Sequence, residues 1–157
     1  MHIILIAVGK RMPQWVNDAY DEYARRLPRH CALQLLEISA GKRGKNADIV
    51  RINNEEGKRL LDAVPAGARV IALERTGKDR STEQLANAME NWMADGRDVV
   101  FLVGGPEGLS EDCLNRADET WSLSKMTFAH PLVRIVLAEQ LYRAWSIIAN
   151  LPYHRGD

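Results

Sequence analysis

Short apolar runs alternate with stretches of helical periodicity along this chain, and that alternation constrains its fold more than any other feature. The apolar runs predict β-strands and lie at residues 2–8, 31–38, 68–73, 99–103 and 121–123. Between them, apolar residues recur every three or four positions, which is typical of amphipathic helices. Strands that alternate with helices indicate an α/β fold, with helices packed on both faces of a sheet.

Five helices are predicted, over residues 13–27, about 46–63, 81–96, a short stretch after 110, and 131 to about 149. Ser81 and Gln84 form a capping box at the start of the third helix, and Gly96 suits its left-handed end. The polar residues 74–80 are expected to connect the third strand to this helix. The last helix is apolar on more than one face, so it packs deep in the core or against a second subunit; we favour the subunit interface.

The length of 157 residues predicts a single domain, 1–157, with one core. Hydrophobic residues make up 46% and charged residues 27%, which excludes a disordered or fibrous chain. Residues 1–45 carry 8 basic and 4 acidic side chains, residues 46–120 carry 9 and 15, and residues 121–157 carry 4 and 2. The net charge is therefore zero, and the two ends are candidates for phosphate contact or carry ordinary solubilising charge.

Several classes of protein are disfavoured by what the sequence lacks. Cys31 and Cys113 form no paired motif, and the four histidines have no metal-ligand spacing, so we expect no metal site. The apolar start, residues 3–8, is too short to span a membrane and lacks the features of a leader peptide. We expect a cytoplasmic protein without membrane contact.

Two glycine-containing turns are candidate binding elements. Gly104–Gly108 follows a buried strand, where open α/β sheets bind ligands and where glycines let the backbone approach them; a plain tight turn is the alternative. Gly41–Lys45 is a basic loop without the pattern of a nucleotide-binding phosphate loop. It could hold RNA phosphates or be a solvated turn.

The C-terminal region is rich in reactive side chains. Glu139 and Arg143 are four residues apart and share a helical face, as a structural ion pair or as catalytic groups. Tyr153, His154 and Arg155 follow the last helix and offer an aromatic ring for stacking on a base, a titratable group and a phosphate donor.

Motifs along the whole chain resemble the SPOUT superfamily and, within it, the bacterial family of ribosomal RNA large subunit methyltransferase H. The matching segments are Ser39–Asn46, Gly104–Gly108, Trp121–Ser124, His130–Arg134, Glu139–Trp145 and Pro152–Arg155. The resemblance implies a SPOUT-type sheet with helices on both faces and a deep C-terminal trefoil knot, in a homodimer that binds S-adenosylmethionine and no metal. The cofactor site that it implies comprises Leu73, Gly104, Gly105, Leu123, Ser124, Lys125, Met126, Thr127 and Phe128.

The resemblance also implies a reaction, methyl transfer to N3 of a pseudouridine in the 23S rRNA of the assembled 70S ribosome. The site then needs a proton acceptor, either His154 or Glu139, and a cation for the charge on the base, either Arg143 or Arg155. Tyr153 completes the predicted catalytic set. Two alternatives stay open: a ribose 2′-O methyltransferase that acts on tRNA, and a non-catalytic module that binds ribosomes.

Overall fold

Strands and helices alternate in the computed structural model, which describes residues 1–155. The strands are β1 (Ile3–Val8), β2 (Leu33–Ile38), β3 (Arg69–Asp79), β4 (Val99–Val103) and β5 (Glu119–Ser122). The helices are α1 (Gln14–Ala24), α2 (Ile49–Asp62), α3 (Thr82–Asp95), α4 (Glu111–Arg116) and α5 (His130–Ile148), with 3₁₀ turns at Arg29–Cys31 and Pro152–Arg155. The predicted α/β class is confirmed.

The five strands form one parallel sheet in the order β2-β1-β4-β3-β5. All residues of β1 and β4 are buried, because these strands lie inside the sheet and are covered on both faces. In a parallel sheet the carboxyl ends of all strands meet at one edge. The segments after β1, β4 and β5 therefore come together there, beside residues 73–75 in the middle of β3, and ligands bind at this edge in open α/β sheets.

Helices cover both faces of the sheet, as predicted. One core layer contains the apolar faces of α1, α3 and α5, and the other contains those of α2 and α4. Each layer encloses one free cysteine, Cys31 in the first and Cys113 in the second. No helix within residues 1–155 has the length and apolar character that crossing a membrane requires.

The structure confirms the capping residues that were predicted at the two ends of α3. Ser81 and Gln84 bond reciprocally in a capping box before α3, and Gly96 ends the helix in the left-handed region with φ 83°. These contacts satisfy backbone groups that a helix end leaves without partners. α3 packs on the sheet through Trp92, whose ring centroid lies 6.0 Å from that of Phe101 in β4 and 5.9 Å from that of Trp121 in β5.

The prediction that residues 74–80 are only a connection was wrong. β3 continues to Asp79, with Lys78 and Asp79 paired to β5 after an irregularity that follows Leu73. The polar side chains of Lys78 and Asp79 are exposed, and exposed side chains do not prevent backbone pairing at a sheet edge. Gly77 passes so close to β5 that a Cβ there would lie 2.6 Å from the backbone carbon of Trp121. The deep C-terminal trefoil knot stays a prediction.

The last helix packs between two others of the same chain. α5 contacts both α1 and α3, so much of its apolar surface is covered without a second subunit. After α5, Asn150 adopts φ 56°, and the Leu151 N–H donates to the carbonyl of Ser146 at 2.8 Å. Asparagine tolerates this left-handed conformation, which reverses the chain direction. Residues 152–155 therefore fold back onto α5.

Candidate active site

A cavity of about 510 Å³ opens at the carboxyl ends of the strands, a volume that suits a small-molecule ligand. Its walls come from residues 73–75 in the middle of β3, the turn after β4 and the segment between β5 and α5. Lys125 of the expected cofactor residues is exposed and lies outside the wall. The others line the cavity: Leu73, Gly104, Gly105, Leu123, Ser124, Met126, Thr127 and Phe128.

The turn Gly104–Gly108 forms one wall from backbone. A Cβ on Gly104 would overlap the carbonyl group of Gly108, and Gly108 itself has φ +81°. Both positions therefore require glycine, one for space and one for conformation. The segment is a tight turn, with the Gly108 N–H bonded to the Gly105 carbonyl at 3.0 Å, and it is also a cavity wall.

The basic loop Gly41–Lys45 is tied to this turn by Arg43. The guanidinium donates to both oxygens of Glu56 at 2.7–2.8 Å and to Glu107, whose nearest oxygen is also at 2.7 Å. Both carboxylates raise the pKa of Arg43, Glu56 first, and Arg43 lowers the pKa of Glu107. The two interpretations of the loop, RNA phosphate contact and a solvated turn, stay open: Arg43 is paired with these carboxylates, whereas Lys42 and Lys45 are exposed.

Two carboxylates in the cavity wall were missed by sequence reasoning. Glu74 and Glu107 both line the cavity, and neither belongs to a recognisable acidic motif. Glu107 stands inside the glycine turn, so its position in Gly104–Gly108 was the available signal. Among residues 1–155, no three His, Cys, Asp or Glu side chains converge on a common metal position.

The segment between β5 and α5 is held by its own hydrogen bonds. The Ser122 hydroxyl donates to the Ser124 carbonyl at 2.8 Å, and the Met126 N–H donates to the Ser124 hydroxyl at 2.9 Å. Leu123 and Phe128 are half-buried beside it and give the cavity apolar surface. Met126 is 78% exposed, so this wall is open to solvent on one side.

The amino-terminal end of α5 closes the cavity near β1. His130 lines the cavity and its Nε2 lies 2.8 Å from the Val8 carbonyl, so that nitrogen carries the proton. Burial lowers the pKa of His130, and the Arg134 charge lowers it further. Arg134 is buried and bonds the Gly9 carbonyl at 2.7 Å and Glu37 at 2.5 Å. This support was also missed, because its partners are distant in sequence.

The predicted catalytic tail packs on α5 and not in the cavity of its own chain. The Tyr153 hydroxyl donates to Glu139 at 2.7 Å, His154 Nδ1 lies 3.1 Å from the Ser146 hydroxyl, and Arg155 bonds Asn150 at 3.2 Å. The Arg143 guanidinium also lies over the Tyr153 ring, with its Cζ 4.9 Å from the ring centroid.

Glu139 holds this arrangement together. It accepts hydrogen bonds from Arg143 at 2.8 Å, from Tyr153 and from Gln140. Burial alone would raise the pKa of Glu139, but these donors, Arg143 first, lower it. Burial and then the bond to Glu139 raise the pKa of Tyr153 to about 12. At neutral pH Glu139 is thus a carboxylate anchor with a neutral phenol on it.

The family of the chain is shown by comparison with known proteins. A family model described as "Predicted SPOUT methyltransferase" matches residues 1–154. The chain belongs to the SPOUT methyltransferase family. The family resemblance that the motifs indicated is therefore confirmed, and the cavity at the carboxyl ends of the strands is the cavity of a SPOUT protein.

Curated relatives match this SPOUT chain along nearly its whole length. Three are named "Ribosomal RNA large subunit methyltransferase H". Those of Methylococcus capsulatus and Thioalkalivibrio sulfidiphilus are 57% and 58% identical over 155 residues, which is 99% of this chain and 100% and 99% of theirs. The protein of a Marinomonas species is 55% identical over 155 residues, 99% of this chain and 100% of its own.

A solved structure shares the fold. It is described as "Structural insights into the 2-OH methylation of C/U34 on tRNA" and aligns with a TM-score of 0.50 at 18% identity, covering 95% of this chain and 97% of that chain. At this identity the likeness concerns the fold alone.

The two groups of predicted site residues lie apart in this SPOUT chain. The contacts of Tyr153 and His154 with α5 are at Glu139 and Ser146, nine and sixteen residues after His130 of the cavity wall. At 1.5 Å per helical residue, these contacts are about 14 and 24 Å along α5 from His130. The structure therefore brings together the expected cofactor residues other than Lys125, and separately the expected catalytic residues.

Proposed function

We propose that this SPOUT chain is an S-adenosylmethionine-dependent methyltransferase of large-subunit rRNA, which methylates N3 of a pseudouridine in the 23S rRNA of the assembled 70S ribosome. The observation that carries the proposal is the 55–58% identity, over full length, to proteins named ribosomal RNA large subunit methyltransferase H. The tRNA alternative has the weaker support, since the tRNA-related structure is 18% identical and shows only a shared fold.

The volume and the lining of the cavity support binding of S-adenosylmethionine. Gly104 and Gly105 form a wall of backbone without side chains, and Leu73 and Leu123 offer apolar contact to an adenine ring. Glu74 and Glu107 place carboxylates in the wall, which suit the positive charges of this cofactor. When bound, the cofactor supplies an electrophilic methyl group on a sulfonium.

The task of the chain's own residues is to accept the N3 proton and stabilise the charge on the base. Of the two candidate acceptors we choose His154, because Glu139 already accepts hydrogen bonds from three side chains as an anchor. Of the two candidate cations we choose Arg155, which is exposed, whereas Arg143 is paired with Glu139. Tyr153 stacks on a base or holds the tail in place.

The separation of cavity and tail supports a homodimer in which one copy contributes the tail to the cavity of the other. Each copy acts as a single domain, and we propose a cytoplasmic enzyme, because its substrate is the ribosome. The exposed Lys42 and Lys45 of the basic loop suit contact with rRNA phosphates. With a net charge of zero, the chain is expected to bind free rRNA weakly.

Labelled S-adenosylmethionine and ribosomes that lack the modification test the proposal. We expect label in a single 23S rRNA nucleotide, identified as N3-methylated pseudouridine by mass spectrometry, with 70S ribosomes preferred over a free rRNA hairpin. His154→Ala should lower the single-turnover rate at least about tenfold. Label in tRNA ribose, or no binding of S-adenosylmethionine in a calorimetric titration, would contradict the proposal.

A further inference from the structure

The hydroxyl of Ser146 contacts the proposed proton acceptor from a buried position. We propose that Ser146 is a positioning residue that fixes the ring proton of neutral His154 on Nδ1 and so presents Nε2 as the proton-accepting atom. The catalytic half of this inference rests on the proposed function, whereas the position of the ring proton does not.

The Ser146 hydroxyl donates its hydrogen bond within α5. Ser146 Oγ lies 2.6 Å from the carbonyl oxygen of Arg143, one turn earlier in α5. A carbonyl oxygen can only accept, so the single hydroxyl proton of Ser146 points to it. The serine oxygen keeps its lone pairs for a second partner.

The hydrogen bond between Ser146 and the imidazole ring of His154 also has a defined direction. His154 Nδ1 lies 3.1 Å from the same Ser146 oxygen, which has no proton left to give. The bond therefore forms with Nδ1 as the donor. In a neutral imidazole one nitrogen carries the proton and the other the lone pair, so Nε2 of His154 is the acceptor.

Both members of the Ser146–His154 pair are held in place by the surrounding structure. Ser146 is fully buried, so bulk water does not compete for its oxygen. The tail turns back at Asn150, where the Leu151 N–H bonds the backbone carbonyl of Ser146, and Tyr153 is anchored on Glu139. In the reaction the N3–H bond of the base breaks and its proton goes to Nε2. The N3 electron pair forms the new bond to the methyl carbon as the carbon–sulfur bond breaks, leaving a neutral thioether and an imidazolium.

Nitrogen NMR of ¹⁵N-histidine-labelled protein tests the tautomer without any rRNA. At pH 8 we expect His154, assigned by the loss of its signals in His154→Gln, to show a protonated Nδ1 and an unprotonated Nε2. Ser146→Ala should produce a mixture of both tautomers, and Ser146→Thr, which keeps the hydroxyl, should restore the wild-type signals. A wild-type His154 with its proton on Nε2 would overturn the inference.

Single-turnover methyl transfer tests the catalytic half. With saturating cofactor and ribosomes, Ser146→Ala should lower the rate roughly fivefold, the value of one neutral hydrogen bond, with the KM for S-adenosylmethionine unchanged. The matched control is Thr82→Val, which removes another hydroxyl bond to α5, that to Gln140 at 2.7 Å. A rate for Ser146→Ala equal to that of this control overturns the positioning role. Absence of transfer by the wild type refutes the proposed function instead, and leaves the tautomer result standing.

Discussion

Removal of the Arg43 guanidinium should strongly destabilise the fold beside the cavity. Within residues 1–155, Arg43→Ala leaves the Glu56 carboxylate, 1% exposed, with the Gly41 N–H as its hydrogen-bond donor. Breaking a buried ion pair by removing one partner costs about 3–5 kcal/mol, because the other charge stays buried. Since Arg43 is itself 20% exposed, solvent screens the pair and we expect the lower end, about 3 kcal/mol.

Calorimetry and urea unfolding at pH 7 measure this effect. For a domain of this size, about 3 kcal/mol corresponds to a fall in Tm of roughly 6–12 °C. The matched control is Arg51→Ala on α2, which removes an ion pair with Glu55 at 3.0 Å whose side chains are 74% and 51% exposed. Exposed pairs of this kind contribute below about 1 kcal/mol, so the control should unfold almost as the wild type does.

A double variant separates the buried charge from other effects of the substitution. Arg43→Ala combined with Glu56→Gln should recover part of the lost free energy of unfolding, since no carboxylate is then left uncompensated. The reasoning fails if Arg43→Ala is no more destabilising than Arg51→Ala, or if the double variant is less stable than Arg43→Ala alone.

Three further predictions concern the walls of the site and the tail. Gly104→Ala should weaken S-adenosylmethionine binding at least about tenfold in calorimetry, because the new Cβ overlaps the backbone of Gly108 and reshapes the wall; an unchanged Kd would contradict this. Because the pKa of His130 is lowered from 6.5, the unfolded chain takes up a proton that the folded one does not, so stability should fall between pH 7 and 5. His130→Gln should flatten that slope in urea unfolding, and an equal slope would refute the assignment. Glu139→Gln should lower the pKa of Tyr153 from about 12 only part of the way toward 10, because burial, the larger cause, remains; ultraviolet absorbance follows the phenol, and an unchanged pKa would contradict the contribution of Glu139.

The strands inside the sheet could be predicted because strands that are buried on both faces consist of apolar residues. β4 begins and ends at the predicted residues, 99 and 103, and β1 differs by one residue. The second half of β3 could not be predicted, because residues 74–79 are polar and pair only with a short edge strand. Apolar periodicity reports burial, and backbone pairing without burial leaves no such signal.

The site was predictable where its residues form local motifs and not where they meet from afar. The glycine turn and the segment after β5 are continuous in sequence, and the resemblance located them. Arg43 meets Glu56 and Glu107 from 13 and 64 residues away, and Arg134 meets Glu37 from 97 residues away. No periodicity or spacing rule reports such pairs.

Because the chain reverses at Asn150, the two ends of α5 serve different active sites in the proposed dimer: the amino-terminal end lines the cavity of its own copy, and the carboxyl-terminal end carries the tail for the cavity of the other copy. Each copy would receive a methyl donor at one end and lend chemical groups to its neighbour at the other. A chain damaged in its cavity and a chain damaged in its tail would then be able to complement each other, because their mixed pair still contains one intact combination.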